Sequence, residues 1–288
     1  MDDIGHSGLS GPPPAALARR GFMMSTLIAG LTLATTRVEA QAIHTDTQGI
    51  DACETKIPVA DGQLPAYVAH PAGAGPFPTV LVIEEIFGVH EYIKDICRRL
   101  AKAGYLAVAP ELYARLADLS KMTDVEQIVR DVIFKAPDAT LLADLDATAA
   151  WAAAHGGDAA RLAVTGFCRG GRDTWLYAAH NPALKAAVAW YGPVAGHISD
   201  IQPKTPLDIA ADLTCPLLGL YGGRDTSIDM DDVQKAVATA KAAGKPVDLV
   251  IYPDAGHGFH ADYRPSYNPA AAADGWQRML AWFHEYGV

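Results

Sequence analysis

From Ala66 onward the chain alternates short, continuous apolar runs with stretches of helical spacing. Residues 79–87, TVLVIEEIF, read as a buried strand, followed by a helical stretch to about Ala103. Residues 105–112, YLAVAPEL, form the next run, and a polar connection follows. A helix is predicted over 140–154, where Leu142, Leu145 and Trp151 fall at helical spacing. Four further runs, RLAVTGF, KAAVAWYG, PLLGLYGG and VDLVIYPDAG, each close on or near Gly, Pro or Asp, and a last helix spans 269–286. Strands apolar throughout their length, separated by amphipathic helices, predict an α/β fold with a mostly parallel central sheet covered on both faces. No repeat or linker-like shift interrupts residues 55–288, so one domain is expected. In such sheets functional sites lie beyond the carboxyl ends of the strands.

The first forty residues read differently. Arg19 and Arg20 precede Gly21 and Phe22, a modest apolar run continues to about Thr36, and a small-residue exit, Val38-Glu39-Ala40, follows. A positive start, a short apolar middle and a small-x-small end describe an export signal. The arginine pair resembles the twin-arginine type; a short membrane anchor or a disordered tail is the other reading. The predicted organisation is therefore a cleaved signal over 1–40 and a single domain over 41–288, in the periplasm. No run approaches the roughly 18 apolar residues of a bilayer span, so no stable span is expected after cleavage. The formal charge of −10 argues against nucleic acid or an anionic membrane surface as partner.

Cys53, Cys97, Cys168 and Cys215 show neither CxxC pairing nor zinc-ligand spacing. If one is catalytic, at most one bridge can form among the rest. Cys168 lies in VTGFCRGG, at the end of a strand-like run and the start of a helix. This frame, Gly at minus two and plus two around a nucleophile, serves a tight strand-to-helix turn that lifts one side chain above the sheet. The helix N-terminus favours a thiolate there, and its free backbone N–H groups can hold an oxyanion. Asp225 and His257 follow in order, each just past its own predicted strand, so all three residues can meet at one edge of the sheet. Taken singly, Cys168 reads as a structural turn cysteine, Asp225 as a cap and His257 as a solvated loop residue. The ordered set favours chemistry.

Glu84 and Glu85 interrupt the apolar run 79–87, and strand alternation sends them to opposite sides. The Ile86 N–H, beside that of Arg169, is placed to form an oxyanion hole. Phe87, Tyr191 and Phe259 are candidate pocket residues, with Trp190 and Tyr263 nearby. The pair His257 and His260 lacks a third ligand at metal spacing, so no metal is expected. No phosphate-binding or dinucleotide fingerprint occurs, and no cofactor is expected. Arg169 and Arg172 read as solvated charges at a helix start.

The segments EEIFGVHEYIKDICRRLAKAGYLAVAPELYAR, GFCRGG, GGRDTSI and AGHGFH resemble the dienelactone hydrolase family, cysteine enzymes on the α/β-hydrolase fold, from about residue 55 to the end. The resemblance implies Cys168 as nucleophile, His257 as general base, Asp225 as its orienting acid, Glu85 as the resting partner of the thiol and Ile86 as a share of the oxyanion hole. It also implies a small ester or lactone as substrate. The chain departs from the pattern at Ala261, where the family places a substrate-binding arginine, and at Gly258, where it places a serine. A second substrate arginine has Arg130 as its nearest candidate. Two other readings stay open: a broader cysteine acyl hydrolase acting on thioesters or peptides, and a non-catalytic binding or thiol-redox protein on the same scaffold. The oligomeric state is left open.

Overall fold

The structure, a computed structural model, describes residues 43–288. The expected export segment, with Arg19, Arg20 and the expected cleavage after Ala40, lies outside the described residues. Eight strands form one sheet: β1 Ile50–Val59, β2 Gly62–Pro71, β3 Phe77–Ile83, β4 Leu106–Pro110, β5 Gly157–Phe167, β6 Leu184–Trp190, β7 Leu217–Gly222 and β8 Val247–Tyr252. Their order is β1-β2-β4-β3-β5-β6-β7-β8. The pairs β1–β2 and β2–β4 are antiparallel, and β3 to β8 run parallel. This is the expected mostly parallel sheet, with an antiparallel hairpin added at one edge.

The central strands are apolar on both faces because helices cover both. Every residue of β4, LAVAP, and of β7, LLGLYG, is buried. The covering helices are α1 Glu91–Lys102, α2 Val125–Asp131, α3 Asp138–Ala154, α4 Arg169–His180, the short α5 Pro206–Ile209, α6 Met230–Ala242 and α7 Pro269–Glu285. Helix α7 begins where the last periodic stretch does: Pro269 opens it, and the Asn268 side chain accepts from the Ala271 N–H. Among the described residues no helix is long and apolar enough to cross a membrane.

Two boundaries differ from the sequence pattern. The strand expected over 79–87 is Phe77–Ile83, and residues 84–87 turn away above the sheet. Its pairing with β5 ends at Ile83 and Gly166, so the two glutamates have left the ladder. The hairpin β1–β2 precedes the first apolar run. As an edge strand β1 buries only Ile50 and Ile57 fully, and its polar residues hide the strand from a hydrophobicity pattern.

The close approach of β3, β5 and α4 depends on glycine. A Cβ on Gly166 would collide with the Gly170 carbonyl, and one on Gly170 with the carbonyl oxygens of Ile83 and Glu84. Neither obstacle is the movable end of a side chain. Gly170→Ala should therefore destabilise the protein by at least about 1–3 kcal/mol, read as a lower denaturation midpoint in urea. A midpoint equal to the parent's would show that this packing is looser than the structure describes.

Candidate active site

Strand β5 ends at Phe167, and Cys168 turns the chain into α4 with φ 56° and ψ −117°. That region is unfavourable for a residue with a side chain, and the surroundings must hold it there. They do so through the backbone. The Cys168 N–H donates to the Trp190 carbonyl at 3.0 Å, and the Cys168 carbonyl accepts from Gly171 N–H at 2.9 Å. A Cβ on Gly171 would stand 2.6 Å from the Trp190 carbonyl oxygen. The frame read from the sequence is thus a sterically enforced turn that presents one thiol at the sheet's carboxyl edge.

The other two residues arrive from neighbouring strands. Asp225 follows β7 and His257 follows β8. His257 Nδ1 lies 2.8 Å from Asp225 Oδ2, and His257 Nε2 lies 3.2 Å from Cys168 Sγ. The second oxygen of Asp225 accepts from Ser227 N–H at 2.8 Å, Ser227 Oγ at 2.6 Å and Ile228 N–H at 3.2 Å. Burial alone would raise the Asp225 pKa; the His257 charge and these donors outweigh it and hold the carboxyl below its ordinary value. Burial also disfavours the imidazolium, but the facing charges of Cys168 and Asp225 lift the His257 pKa to about 10. With Nδ1–H donated to Asp225, Nε2 is left to exchange a proton with the thiol. Tyr191, itself at φ 37°, sets its ring edge-on to the imidazole at 5.3 Å.

Glu84 and Glu85 do face opposite ways, and both are fully buried. The Glu85 carboxylate accepts from Tyr263 Oη at 2.5 Å and Arg264 Nη2 at 3.0 Å, with His90 Nε2 at 3.6 Å. Burial works to raise its pKa, yet Arg264, His90 and Tyr263 bring it down to about 2. Glu85 is therefore ionised and pairs with a guanidinium. The expected resting pair with the thiol is not the arrangement found, because a permanent cation solvates a buried carboxylate better than a neutral thiol does. The thiol's partner is His257.

The Ile86 and Arg169 backbone N–H groups have no backbone acceptor among the described residues. Phe87 lines a cleft of about 850 Å³ together with Gly88, Val89 and His90, and the Arg264 guanidinium lies over its ring at 5.4 Å. Tyr191 is buried against His257. Phe259 is core: it has no exposure and packs on Trp190, Tyr191 and Tyr252. His260 is also internal, with Nδ1 at 2.7 Å from Tyr92 Oη, and burial pushes its pKa down to about 3.

The arginines depart furthest from expectation. Arg169 and Arg172 are buried, not solvated. Arg172 donates to Asp138 at 2.7 and 2.9 Å and to Asp173 at 2.9 Å, while Arg169 faces Asp173 at 3.4 Å and Asp138 at 3.7 Å. Two acids supplied by α3 and α4 neutralise them. Arg130 is exposed on α2 and pairs with its neighbour Asp131, away from the site. The arginine that reaches the site is Arg264, three residues beyond Ala261, bonded to Glu85. Gly258 makes that possible: at φ +71°, its Cβ would stand 2.9 Å from Arg264 Cδ. Counting a fixed spacing from the histidine misses this residue; the signal for it is an arginine at the end of the aromatic loop 258–264.

Among the described residues all four cysteines are free. Cys97 and Cys215 are buried, and burial raises both pKa values, that of Cys215 to about 12. Cys53 is exposed on β1. Cys168 alone has an imidazole within reach.

The raised His257 pKa has a consequence for stability. The folded state holds this proton more tightly than the unfolded chain, so the stabilisation is complete below about pH 6.5 and is lost as pH rises through about 10. Asp225→Asn keeps an acceptor for Ser227 but removes the charge. It should cost about 1–3 kcal/mol at pH 6 and far less above pH 10, in paired urea titrations. A cost independent of pH would contradict this electrostatic account.

Residues 64–287 match the model of the dienelactone hydrolase family. A protein of Methylorubrum extorquens named "Putative carboxymethylenebutenolidase" is 57% identical over 274 residues, covering 94% of each chain. A protein of the same name from Escherichia coli K12 is 52% identical over 266 residues, 92% of this chain and 98% of that one. The crystal structure of a "Putative Dienelactone Hydrolase" from Klebsiella pneumoniae superposes with a TM-score of 0.81 at 57% identity, covering 82% of this chain and 99% of the other. With the sheet order and the strand-end site already described, these matches place the chain in the dienelactone hydrolase family.

Proposed function

We propose that this hydrolase opens a small lactone or ester through a covalent thioester on Cys168. The observation that carries the reading is the continuous bonded line from Asp225 Oδ2 through His257 to Cys168 Sγ, at 2.8 and 3.2 Å. With the thiol proton already held on His257, the thiolate attacks the acyl carbon. The negative charge that develops on the acyl oxygen is met by the Ile86 and Arg169 N–H groups. The carbon–oxygen bond of the ester breaks, and His257 returns its proton to the departing oxygen. Water then gives a proton to His257, attacks the thioester and releases the acid and the thiol. Asp225 fixes the imidazole and offsets its charge at each transfer.

Thioesters form readily, but a thiolate expels an amide nitrogen poorly without strong protonation of the leaving group, which favours esters and lactones over peptides. Arg264 keeps Nη1 free of protein acceptors among the described residues, so a substrate with a carboxylate near its acyl carbon is compatible with the site despite Ala261.

Cys168→Ala should lower kcat/KM for a chromogenic acetate ester by about 10³-fold or more, and iodoacetamide should inactivate by alkylating Cys168, with substrate protecting. Asp225→Asn should cost less than His257→Ala. Inactivation that maps to Cys53, Cys97 or Cys215 would remove Cys168 from the role.

We also propose export by the twin-arginine route, on the strength of Arg19, Arg20 and the apolar run behind them. Replacing both arginines by lysine should hold the precursor in the cytoplasm, in cell fractionation. Unchanged export of that variant would refute the route.

A further inference from the structure

Behind the turn that carries Glu85 and Ile86 lies a second pair of acids that the mechanism does not use. Glu84 is fully buried. Its Oε1 accepts the Leu112 N–H at 2.8 Å, just past β4, while its Oε2 is buried with no hydrogen-bond donor among the described residues. The group within bonding reach of Glu84 is another carboxyl, that of Glu111. Glu111 stands just past β4, and its Oε2 would lie 3.2 Å from a Cβ placed on Gly88. Glu84 thus ties the start of residues 84–89 to the end of β4, and Glu111 packs against Gly88 near their end. Ile86 lies between the two.

Two carboxylates cannot both ionise in such contact when one is fully buried, unless a cation intervenes. Among the described residues none bonds either carboxyl. The charged groups around Glu111 are Lys94 and Glu54, which are bonded to each other at 2.5 Å. Tyr113 faces Glu84. His44, Glu91 and Asp118 line the adjoining cleft, and Arg264 is committed to Glu85 on the opposite side.

We propose that Glu84 and Glu111 share one proton, and that this carboxyl–carboxylate bond is a latch fixing the position of the Ile86 N–H. Glu84 and Glu111 are positioning residues in this scheme; neither touches substrate. Burial, and next the Glu111 charge, push the Glu84 pKa well above its ordinary value, and burial raises that of Glu111, in keeping with a proton retained at neutral pH. Loss of that proton sets two negative charges against each other under the turn. The shared proton answers the unpaired, buried Glu84 Oε2 whatever the reaction, whereas its catalytic effect rests on the proposed oxyanion role of Ile86.

Three measurements on the full chain test the latch. Infrared difference spectra at neutral pH should show a protonated carboxyl band that disappears in both Glu84→Gln and Glu111→Gln. Amide exchange of residues 84–89 should speed up at least about tenfold in Glu111→Ala, which leaves Glu84 Oε2 without a donor, and return toward the parent rate in Glu111→Gln, whose amide donates to Glu84 directly. For ester turnover, Glu111→Ala should lower kcat about tenfold or more with little change in KM. Glu111→Gln should recover most of that loss and, with no shared proton to lose, hold kcat steady at alkaline pH, where the parent's kcat should fall. A band that survives both glutamine variants, or is absent from the parent, overturns the shared proton. Parental exchange in Glu111→Ala overturns the latch even in a chain that hydrolyses no ester. Parental kcat in Glu111→Ala, with exchange accelerated, overturns the link to Ile86.

Discussion

Cys168 occupies backbone space that a side chain disfavours, and much of the site's geometry answers to that constraint. The left-handed conformation survives because β5, β6 and α4 meet at distances that only hydrogen side chains permit, at Gly166, Gly170 and Gly171. Since Gly170 also rests on the carbonyls of Ile83 and Glu84, the turn after β5 and the turn after β3 are packed as one unit. Movement in either would shift the thiol relative to the Ile86 N–H.

Around this packed unit the charges are partitioned. On one side Asp225, His257 and Cys168 form a chain along which a proton moves. On the other, Glu85 is neutralised by Arg264 and Tyr263, and further out Asp138 and Asp173 neutralise Arg169 and Arg172. Glu85, Arg169 and Arg172 each have a partner from a different stretch of chain, as burial in low dielectric requires. The arrangement keeps the imidazole facing one acid and one thiol, with no stray cation to depress its basicity.

Much of this was legible in the sequence. The central strands showed as apolar runs because both faces are covered, and the order of Cys168, Asp225 and His257 followed from their places after β5, β7 and β8. The β1–β2 hairpin was hidden because an edge strand is half polar. The solvated reading of Arg169 and Arg172 failed because their acids are distant in sequence or simply unremarkable: Asp138 lies at the start of another helix, and Asp173 looks like an ordinary helical residue. Glu85 misled for a related reason. A one-dimensional motif supplies its neighbour on the chain but not the arginine that the loop 258–264 folds back onto it.

That loop alters how substitutions at Ala261 should be read. The guanidinium that meets Glu85 here belongs to Arg264, and Gly258 leaves room for its side chain. Residue 261 itself has no exposure. An arginine grafted there by analogy with relatives would bring a second cation against Arg264 in a space that holds one carboxylate. The place of a charge in this loop is thus set by the loop's path, and column-by-column comparison of side chains would look for it at the wrong residue.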